Sequence, residues 1–179
     1  MSSTMGRFEY LEGRRTSKII FLILPFIIAI LSYTSLHAED KAKTVVGAVE
    51  EVVLFPWEAK LPARIDTGAG MTSLDVRELT VKNKVAQFRL PEKYGNTLIS
   101  LPVIRYIKVQ SVDSRGRRPV VEIELCLGSK RMRVQANLNN RSRFEYPLIL
   151  GRNTLTHGFI VDCTQERLLS PKCLGGISQ

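Results

Sequence analysis

Histidine and paired cysteines are scarce in this sequence, and their scarcity excludes the common zinc sites. The 179 residues include two His and three Cys. Because His37 lies in an apolar N-terminal stretch, neither a His-Glu-x-x-His helix nor a three-His site can be assembled. A Cys/His site built from Cys126, His157, Cys163 and Cys173 would lack a Cys-x-x-Cys pair. We therefore predict no metal site.

The sequence also lacks Gly-Lys-Ser and Gly-Lys-Thr, so it has no phosphate-binding loop of the usual kind, and we predict no cofactor. Acidic residues are the minority, and the net charge is +9. The basic residues are scattered instead of being clustered with aromatics on one element, which argues against nucleic-acid binding. We expect a basic surface that meets anionic lipid, cell-wall polymer or an acidic substrate.

Charged residues are absent from Ile19 to Ala38, a mainly apolar stretch that follows Arg14, Arg15 and Lys18. This order is typical of a secretory signal, so residues 1–38 are predicted to be a signal peptide or a signal anchor. The small residue at Ala38 favours cleavage there, whereas a retained segment 19–38 would attach the protein to the membrane. Either outcome exports a domain at residues 44–179, after a charged linker at 39–43, to the periplasm or to the periplasmic face of the inner membrane.

The three cysteines all lie in the part that is expected to be exported, where oxidation is permitted. Cys163 and Cys173 are ten positions apart, so we expect a bridge between them that holds the C-terminal tail. Cys126 would then be a small buried apolar residue. An odd number of cysteines leaves other pairings open.

Short segments with period-two alternation predict an all-β barrel or sandwich. In Val121–Leu125, for example, apolar and acidic residues alternate, which indicates a half-buried strand. The single convincing helical start follows Gly151. The predicted strands are Thr44–Phe55, Ala63–Asp66, Leu74–Lys82, Val85–Leu90, Ile99–Val112, Val120–Leu127, Met132–Leu138 and Leu148–Leu150.

The sequence Asp66-Thr67-Gly68-Ala69 ends one of these strands and carries the strongest chemical signal. A turn carboxylate held by backbone N–H groups can activate water, provided that a second carboxylate shares a proton with it. Thr67 supplies a hydroxyl that can lock the loop, and Gly68 allows close backbone approach. An ordinary turn is the alternative, because Asp-x-Gly sequences are common.

A second element, Pro147–Leu155, combines an apolar strand with Gly151-Arg152-Asn153 and a short helix. Together with Asp-Thr-Gly-Ala after an apolar strand, it resembles the retropepsin pattern. Within that superfamily the chain is most similar to the bacterial retropepsin-like aspartic endopeptidases, over roughly residues 44–165. This group has also been labelled ATP-dependent zinc proteases, and the residues reject both parts of that label.

The resemblance implies a small closed barrel of the acid-protease type with one short C-terminal helix. It implies a homodimeric endopeptidase that acts on a peptide or protein substrate, in which Asp66 of each subunit meets across a two-fold axis above interlocking Thr67 hydroxyls. Asp75, Asp113 and Asp162 are the other carboxylates considered, but none has a strand-then-glycine context.

Retropepsins cover the substrate with a mobile hairpin, and Val109–Val120 is the flap candidate, with its turn at Asp113-Ser114-Arg115-Gly116. Arg115, Arg117 and Arg118 in this hairpin favour acidic groups in the substrate, although a solvated basic turn is an equal alternative.

The sequence departs from the viral retropepsins at Gly70, where an acidic partner for the arginine matching Arg152 would stand. We expect Asp75 or Asp162 to take that role. The competing hypothesis for function is a non-catalytic envelope module with the same fold, since a fold does not establish an activity.

Overall fold

The computed structural model describes residues 42–111 and 114–173. Twelve strands and one short α-helix are present in this part of the chain, together with a single 3₁₀ turn at Glu92–Tyr94. They are β1 (Thr44–Val46), β2 (Val49–Phe55), β3 (Ala59–Ile65), β4 (Thr72–Asp75), β5 (Arg77–Lys82), β6 (Val85–Arg89), β7 (Leu98–Pro102), β8 (Arg105–Ser111), β9 (Ser114–Leu127), β10 (Lys130–Asn139), β11 (Leu148–Leu150), α1 (Arg152–Leu155) and β12 (Phe159–Val161).

Six of these strands close into a barrel. They follow the order β10, β4, β11, β3, β2, β9, and β9 pairs again with β10. Closure removes free edges from this sheet, so the backbone N–H and C=O groups of the ring are paired internally. The predicted all-β closed barrel with a short C-terminal helix is confirmed.

Alternation along the strands fills the barrel as the sequence predicts. Val121, Ile123 and Leu125 of β9 are buried, whereas Glu122 is exposed and Glu124 is half-buried. The largest fully buried side chains come from many strands and pack into one core; they are Phe88, Leu54, Leu61, Leu74, Leu90, Ile99, Ile123, Leu125, Leu127, Leu138, Leu148 and Leu150.

Two smaller sheets flank the barrel. β5, β6 and β7 form an antiparallel sheet, and β1 pairs in parallel with β12. Three predicted strands are each divided in two in the structure, and one break lies at Gly47. A Cβ atom there would lie 2.5 Å from the carbonyl oxygen of Gln165, so only glycine allows the C-terminal segment to approach so closely.

Residues 162–173, here called the C-terminal strap, lead from β12 to the turn between β9 and β10. Ala48 donates its N–H to the Gln165 carbonyl, and Lys172 donates its N–H to the Gly128 carbonyl. A disulfide joins Cys126 to Cys173, and Cys163 is exposed and free. The expected Cys163–Cys173 bridge was therefore wrong, because the strap extends away from Cys163 and brings Cys173 to β9.

The buried carboxylate of Glu50 also holds the strap. It is fully buried on β2 and accepts hydrogen bonds from three backbone N–H groups, those of Gly47, Leu168 and Leu169. A buried carboxylate needs this degree of satisfaction, because an unpaired one would carry a large desolvation cost. Glu50 thus fixes both the β1–β2 junction and the strap.

Residues 1–41 and 174–179 lie outside the described residues, as do Val112 and Asp113. The assignment of 1–38 as a signal segment therefore stays a prediction, as do the linker at 39–43 and the domain boundary at 44. Within residues 42–111 and 114–173, no helix is long and apolar enough to cross a bilayer.

Replacing Glu50 with Gln should lower the free energy of unfolding by about 1–3 kcal/mol, since an amide cannot accept all three N–H bonds. Glu51→Gln is the matched control, because Glu51 is an exposed neighbour on the same strand, and its effect should stay within about 0.5 kcal/mol. Denaturant unfolding measures both variants. Equal stability of the two would contradict the role of Glu50.

Removing the disulfide should have an effect of similar or larger size. Cys126 and Cys173 are separated by 47 positions, and closing a loop of that length restricts the unfolded chain by about 3–4 kcal/mol in the entropic account. We expect Cys173→Ser to lose about 2–4 kcal/mol and Cys163→Ser to lose almost nothing. Peptide mapping without reductant should recover the Cys126–Cys173 pair, and recovery of Cys163–Cys173 instead would contradict the structure.

Candidate active site

Asp66 lies directly after β3, at the mouth of a tight loop. Its Oδ1 atom accepts the backbone N–H groups of Gly68 at 2.9 Å and Ala69 at 3.0 Å. Its own N–H donates to the Leu150 carbonyl at 3.0 Å. A Cβ atom on Gly68 would come within 3.2 Å of that same Oδ1 atom, so glycine permits the approach. The half-buried carboxylate is therefore held by the backbone, as the sequence predicts.

Arg152 clamps this loop from the helix side. Its Nη1 atom donates to the carbonyl oxygens of Thr67 at 2.9 Å and Gly68 at 2.8 Å, and its backbone N–H donates to the Ala69 carbonyl at 2.8 Å. The arginine thus binds three successive residues that follow Asp66. Among the residues that the structure describes, it has no carboxylate partner.

The expected partners of Arg152 were therefore wrong. Asp75 is buried, pairs with Arg77 and accepts the backbone N–H of Arg141. Asp162 accepts hydrogen bonds from Thr164 and Gln165 in its own turn, and these bonds hold the pKa of its carboxyl below the usual value. Both carboxylates are occupied elsewhere.

Two glycines let the loop and the helix meet. A Cβ atom on Gly151 would lie 2.6 Å from the backbone of Met71, so no other residue fits between the two segments. A Cβ atom on Gly70 would lie 3.5 Å from Nη2 of Arg152. The position where an acidic partner was expected therefore does adjoin the guanidinium, but the arginine uses carbonyl groups instead.

A buried polar network fastens α1 to the strands behind the loop. The Asn153 side chain accepts the N–H of Thr72 at 2.8 Å and donates to the Gln135 carbonyl at 2.7 Å. The hydroxyls of Thr72 and Thr154 lie 2.6 Å apart, and Asn137 donates to the Thr72 carbonyl at 2.9 Å. Such a satisfied network fixes one arrangement of the helix against β4 and β10. The sequence indicated Asn153 but not its partners.

The flap candidate forms an antiparallel hairpin of β8 and β9, with Ser111 opposite Ser114. Ser114, Arg115 and Gly116 therefore belong to strand β9 and not to a turn, which corrects the predicted turn position. Asp113 lies outside the described residues. The hairpin does lead into the buried half of β9, as the sequence predicts.

Arg141 is a site residue that the sequence analysis missed. It is buried between β10 and β11, its guanidinium lies 4.5 Å over the Phe144 ring, and its Nε donates to the Tyr146 carbonyl. The pKa of Arg141 is lowered, mainly because the guanidinium is buried. The negative charges of Asp75 and Asp66 raise this pKa in part, and the positive charge of Arg118 lowers it. The guanidinium therefore lies within reach of the charges of both Asp66 and Arg118.

Arg118 lies beside a cleft of about 270 Å³ that also contains Arg117, Asn139 and Asn140. Burial lowers the pKa of Arg118 as well. Arg118 is half-buried and Arg141 is buried, whereas Arg117 is exposed, so the alternative of a solvated basic turn stays open for the hairpin. A local sequence pattern gave no signal for Arg141, because its burial depends on the fold and its backbone N–H binds Asp75, 66 positions away in the sequence.

In the part of the chain that the structure describes, no group of three His, Cys, Asp or Glu side chains is arranged to hold a metal ion. The chain supplies one Asp66 loop, so the acid–base chemistry of a paired carboxylate needs a second copy of that loop.

Comparison with known proteins identifies relatives of this chain. The model of the RimB-like family, which is described as the retropepsin-like aspartic endopeptidase RimB, matches residues 45–172. The crystal structure of Lpg0085 from Legionella pneumophila subsp. pneumophila str. Philadelphia 1, a protein of unknown function (DUF785), is 31% identical with a TM-score of 0.62. The match covers 70% of this chain and 97% of that one.

The solution structure of the Simian Foamy Virus (mac) protease matches more weakly. It is 12% identical with a TM-score of 0.38, over 60% of this chain and 91% of that one. No curated protein matches the sequence. The family match spans the barrel, the Asp66 loop, α1 and most of the C-terminal strap. The chain therefore belongs to the RimB-like family of retropepsin-like aspartic endopeptidases.

Proposed function

We propose that this protein is an exported, homodimeric aspartic endopeptidase in which Asp66 is the catalytic carboxylate of each subunit. The observation that carries the proposal is the Asp66 loop, whose carboxylate is held by two N–H groups and whose next residues are clamped by Arg152. A carboxylate fixed in this way presents its second oxygen for chemistry.

In this mechanism the two Asp66 carboxyl groups share one proton, because like charges so close together cannot both ionise. The ionised group takes a proton from water, and the water oxygen attacks the scissile carbonyl. The protonated group donates its proton to the carbonyl oxygen, which gives a neutral tetrahedral intermediate. Its collapse breaks the C–N bond and returns a proton to the leaving amine.

Exposure supports the dimer. Thr67 and Gly68 are exposed, so the loop is open to a partner subunit. On the β1–β12 sheet, Val45 and Ile160 are paired in register and are 45% and 51% exposed. The connection that follows β1 binds the strand that leads to Asp66, because Ile65 donates its N–H to the Ala48 carbonyl. A two-fold contact would cover this apolar pair.

The disulfide supports export. Cys126 and Cys173 are joined, and such bonds persist in oxidising compartments such as the bacterial periplasm. A disulfide formed in the periplasm requires an export signal, and the uncharged stretch at residues 19–38 supplies one. We therefore place the domain in the periplasm, free or attached to the inner membrane.

We expect two desolvated arginines to favour a substrate that carries acidic groups. Arg118 and Arg141 present positive charge from a partly desolvated environment, where a carboxylate gains more than it would in water. The Phe144 ring fixes the position of the Arg141 guanidinium.

Replacing Asp66 with Asn should lower the cleavage rate of an unfolded protein about 1,000-fold or more between pH 4 and pH 7, because the amide can neither accept nor share the proton. Asp162→Asn is the matched control and should retain activity, since Asp162 only closes its own turn. Pepstatin-type inhibitors should inhibit the wild type, and a chelator should have no effect.

Three results would contradict this proposal: an inert wild-type protein at every pH, an active Asp66→Asn variant, or loss of activity with a chelator. An inert protein whose Asp66→Ala variant still bound a peptide partner would favour the non-catalytic envelope module.

Arg152→Met should lower the turnover number more than it raises KM, because the loop loses two charge-assisted hydrogen bonds that position Asp66. We expect a loss of about 1–2 kcal/mol in unfolding free energy and a lower rate at saturating substrate. Arg143→Met removes an exposed arginine and serves as the control. An unchanged turnover number in Arg152→Met would show that the clamp has no catalytic consequence.

Arg141→Gln should reduce the preference for acidic substrates. For paired peptides that carry Glu or Gln beside the scissile bond, we expect the ratio of their kcat/KM values to fall about tenfold, the value of one charge-assisted hydrogen bond. The ratio remains informative if the variant is less stable. The control is again Arg143, as Arg143→Gln, and equal ratios in both variants would contradict a role for Arg141.

A further inference from the structure

The end of the domain at which the chain enters β1 carries an unbalanced group of lysines. Thr44 donates its N–H to the Gly158 carbonyl, and the Lys130 ammonium donates to the same oxygen at 3.1 Å. Lys43 precedes Thr44 and is exposed. Lys130 therefore lies beside the point where Lys43 leaves the domain.

A third lysine reaches the same place through the C-terminal strap. Lys172 is exposed, and its backbone N–H donates to the carbonyl of Gly128, two positions before Lys130. We call Lys43, Lys130 and Lys172 the entry-side lysines. They lie in residues 42–46, 126–130 and 170–173, and neither these segments nor the neighbouring residues 156–161 contain Asp or Glu. The neighbouring residues also include His157, which is exposed.

In the sequence, this end of the domain follows the stretch that is predicted to be directed to the membrane. Residues 39–43 alone separate the uncharged stretch 19–38 from β1, and five residues span at most about 18 Å. The part of this linker that precedes Lys43, residues 39–42, contains two acidic residues and one basic residue, so its own net charge is −1. Any electrostatic attraction to a bilayer must therefore come from the domain.

We infer that the entry-side lysines form a docking surface for the anionic phospholipid headgroups of the membrane to which residues 19–38 direct the chain. Lysine ammonium groups near an anionic surface each strengthen binding roughly fivefold, and the attraction acts over about 8 Å at physiological salt. The surface orients the domain with respect to the bilayer. This inference goes beyond the proposed peptidase function and does not depend on it.

Lysine modification in the full-length protein tests the inference. The protein is placed in nanodiscs of either phosphatidylglycerol or phosphatidylcholine, and the acetylation rate of each lysine by an amine-reactive ester is followed by mass spectrometry. Lys82, Lys84 and Lys93 are internal controls, since they are exposed and lie on or beside the separate β5–β6–β7 sheet.

The entry-side lysines should react at least about fivefold more slowly in phosphatidylglycerol than in phosphatidylcholine, and high salt should remove the difference. The control lysines should react equally in both lipids. Equal rates for the entry-side lysines in the two lipids would overturn the inference, whether the common rate is fast or slow. Slow reaction in both would indicate cover by the neutral bilayer or by a second copy.

A charge-matched pair of triple variants provides a second measurement. The measured quantity is the rate at which a soluble protease cleaves the linker in each lipid. A triple variant that replaces all the entry-side lysines with Gln (Lys43→Gln, Lys130→Gln and Lys172→Gln) should be cleaved at the same rate in both lipids. Lys82→Gln, Lys84→Gln and Lys93→Gln together should preserve the difference between the lipids. If both variants behave alike, net charge and not this surface is responsible, and the inference fails. Peptidase activity in detergent should be unchanged in both.

Discussion

The contact between Arg152 and the loop of Asp66 is the constraint on which the site depends. One side chain and one backbone N–H bind the carbonyls of Thr67, Gly68 and Ala69, while the Asp66 N–H binds the strand that leads into the helix. Because Gly151 touches the backbone of Met71, the two segments meet without any intervening side chain. The buried network around Thr72 and Asn153 then fixes the helix, and through it the loop.

This arrangement explains how the chain manages without an acidic residue at position 70. An arginine that binds carbonyl oxygens depends on the path of the backbone and not on the side chain of one neighbour. The loop is consequently held by the same atoms that shape the turn of Asp66. Gly70 needs only to leave room for the guanidinium. The clamp and the carboxylate form one structural unit that the closed barrel supports.

The sequence predicted an all-β barrel or sandwich from the alternation of its strands, as in Val121–Leu125, and its resemblance to the retropepsins implied the closed barrel that the structure has. It also indicated Asp66, Gly151 and Asn153, whose roles depend on local spacing. It could not predict the partner of Arg152, since backbone carbonyls leave no mark in a sequence. The predicted Cys163–Cys173 pairing was wrong because the strap carries Cys173 to β9, where it pairs with Cys126. Arg141 was missed because its burial depends on the fold, in which its backbone N–H binds the distant Asp75.

The central claim is that the active site is shared between two subunits, and mixing subunits tests it most directly. Wild-type protein is refolded together with increasing amounts of the Asp66→Asn variant, and activity is measured per wild-type subunit. If each site needs two Asp66 carboxylates, random pairing should reduce this activity to about one half at equal amounts and about one fifth at a fourfold excess of the variant. Activity per wild-type subunit that stays constant at every ratio would contradict a shared site.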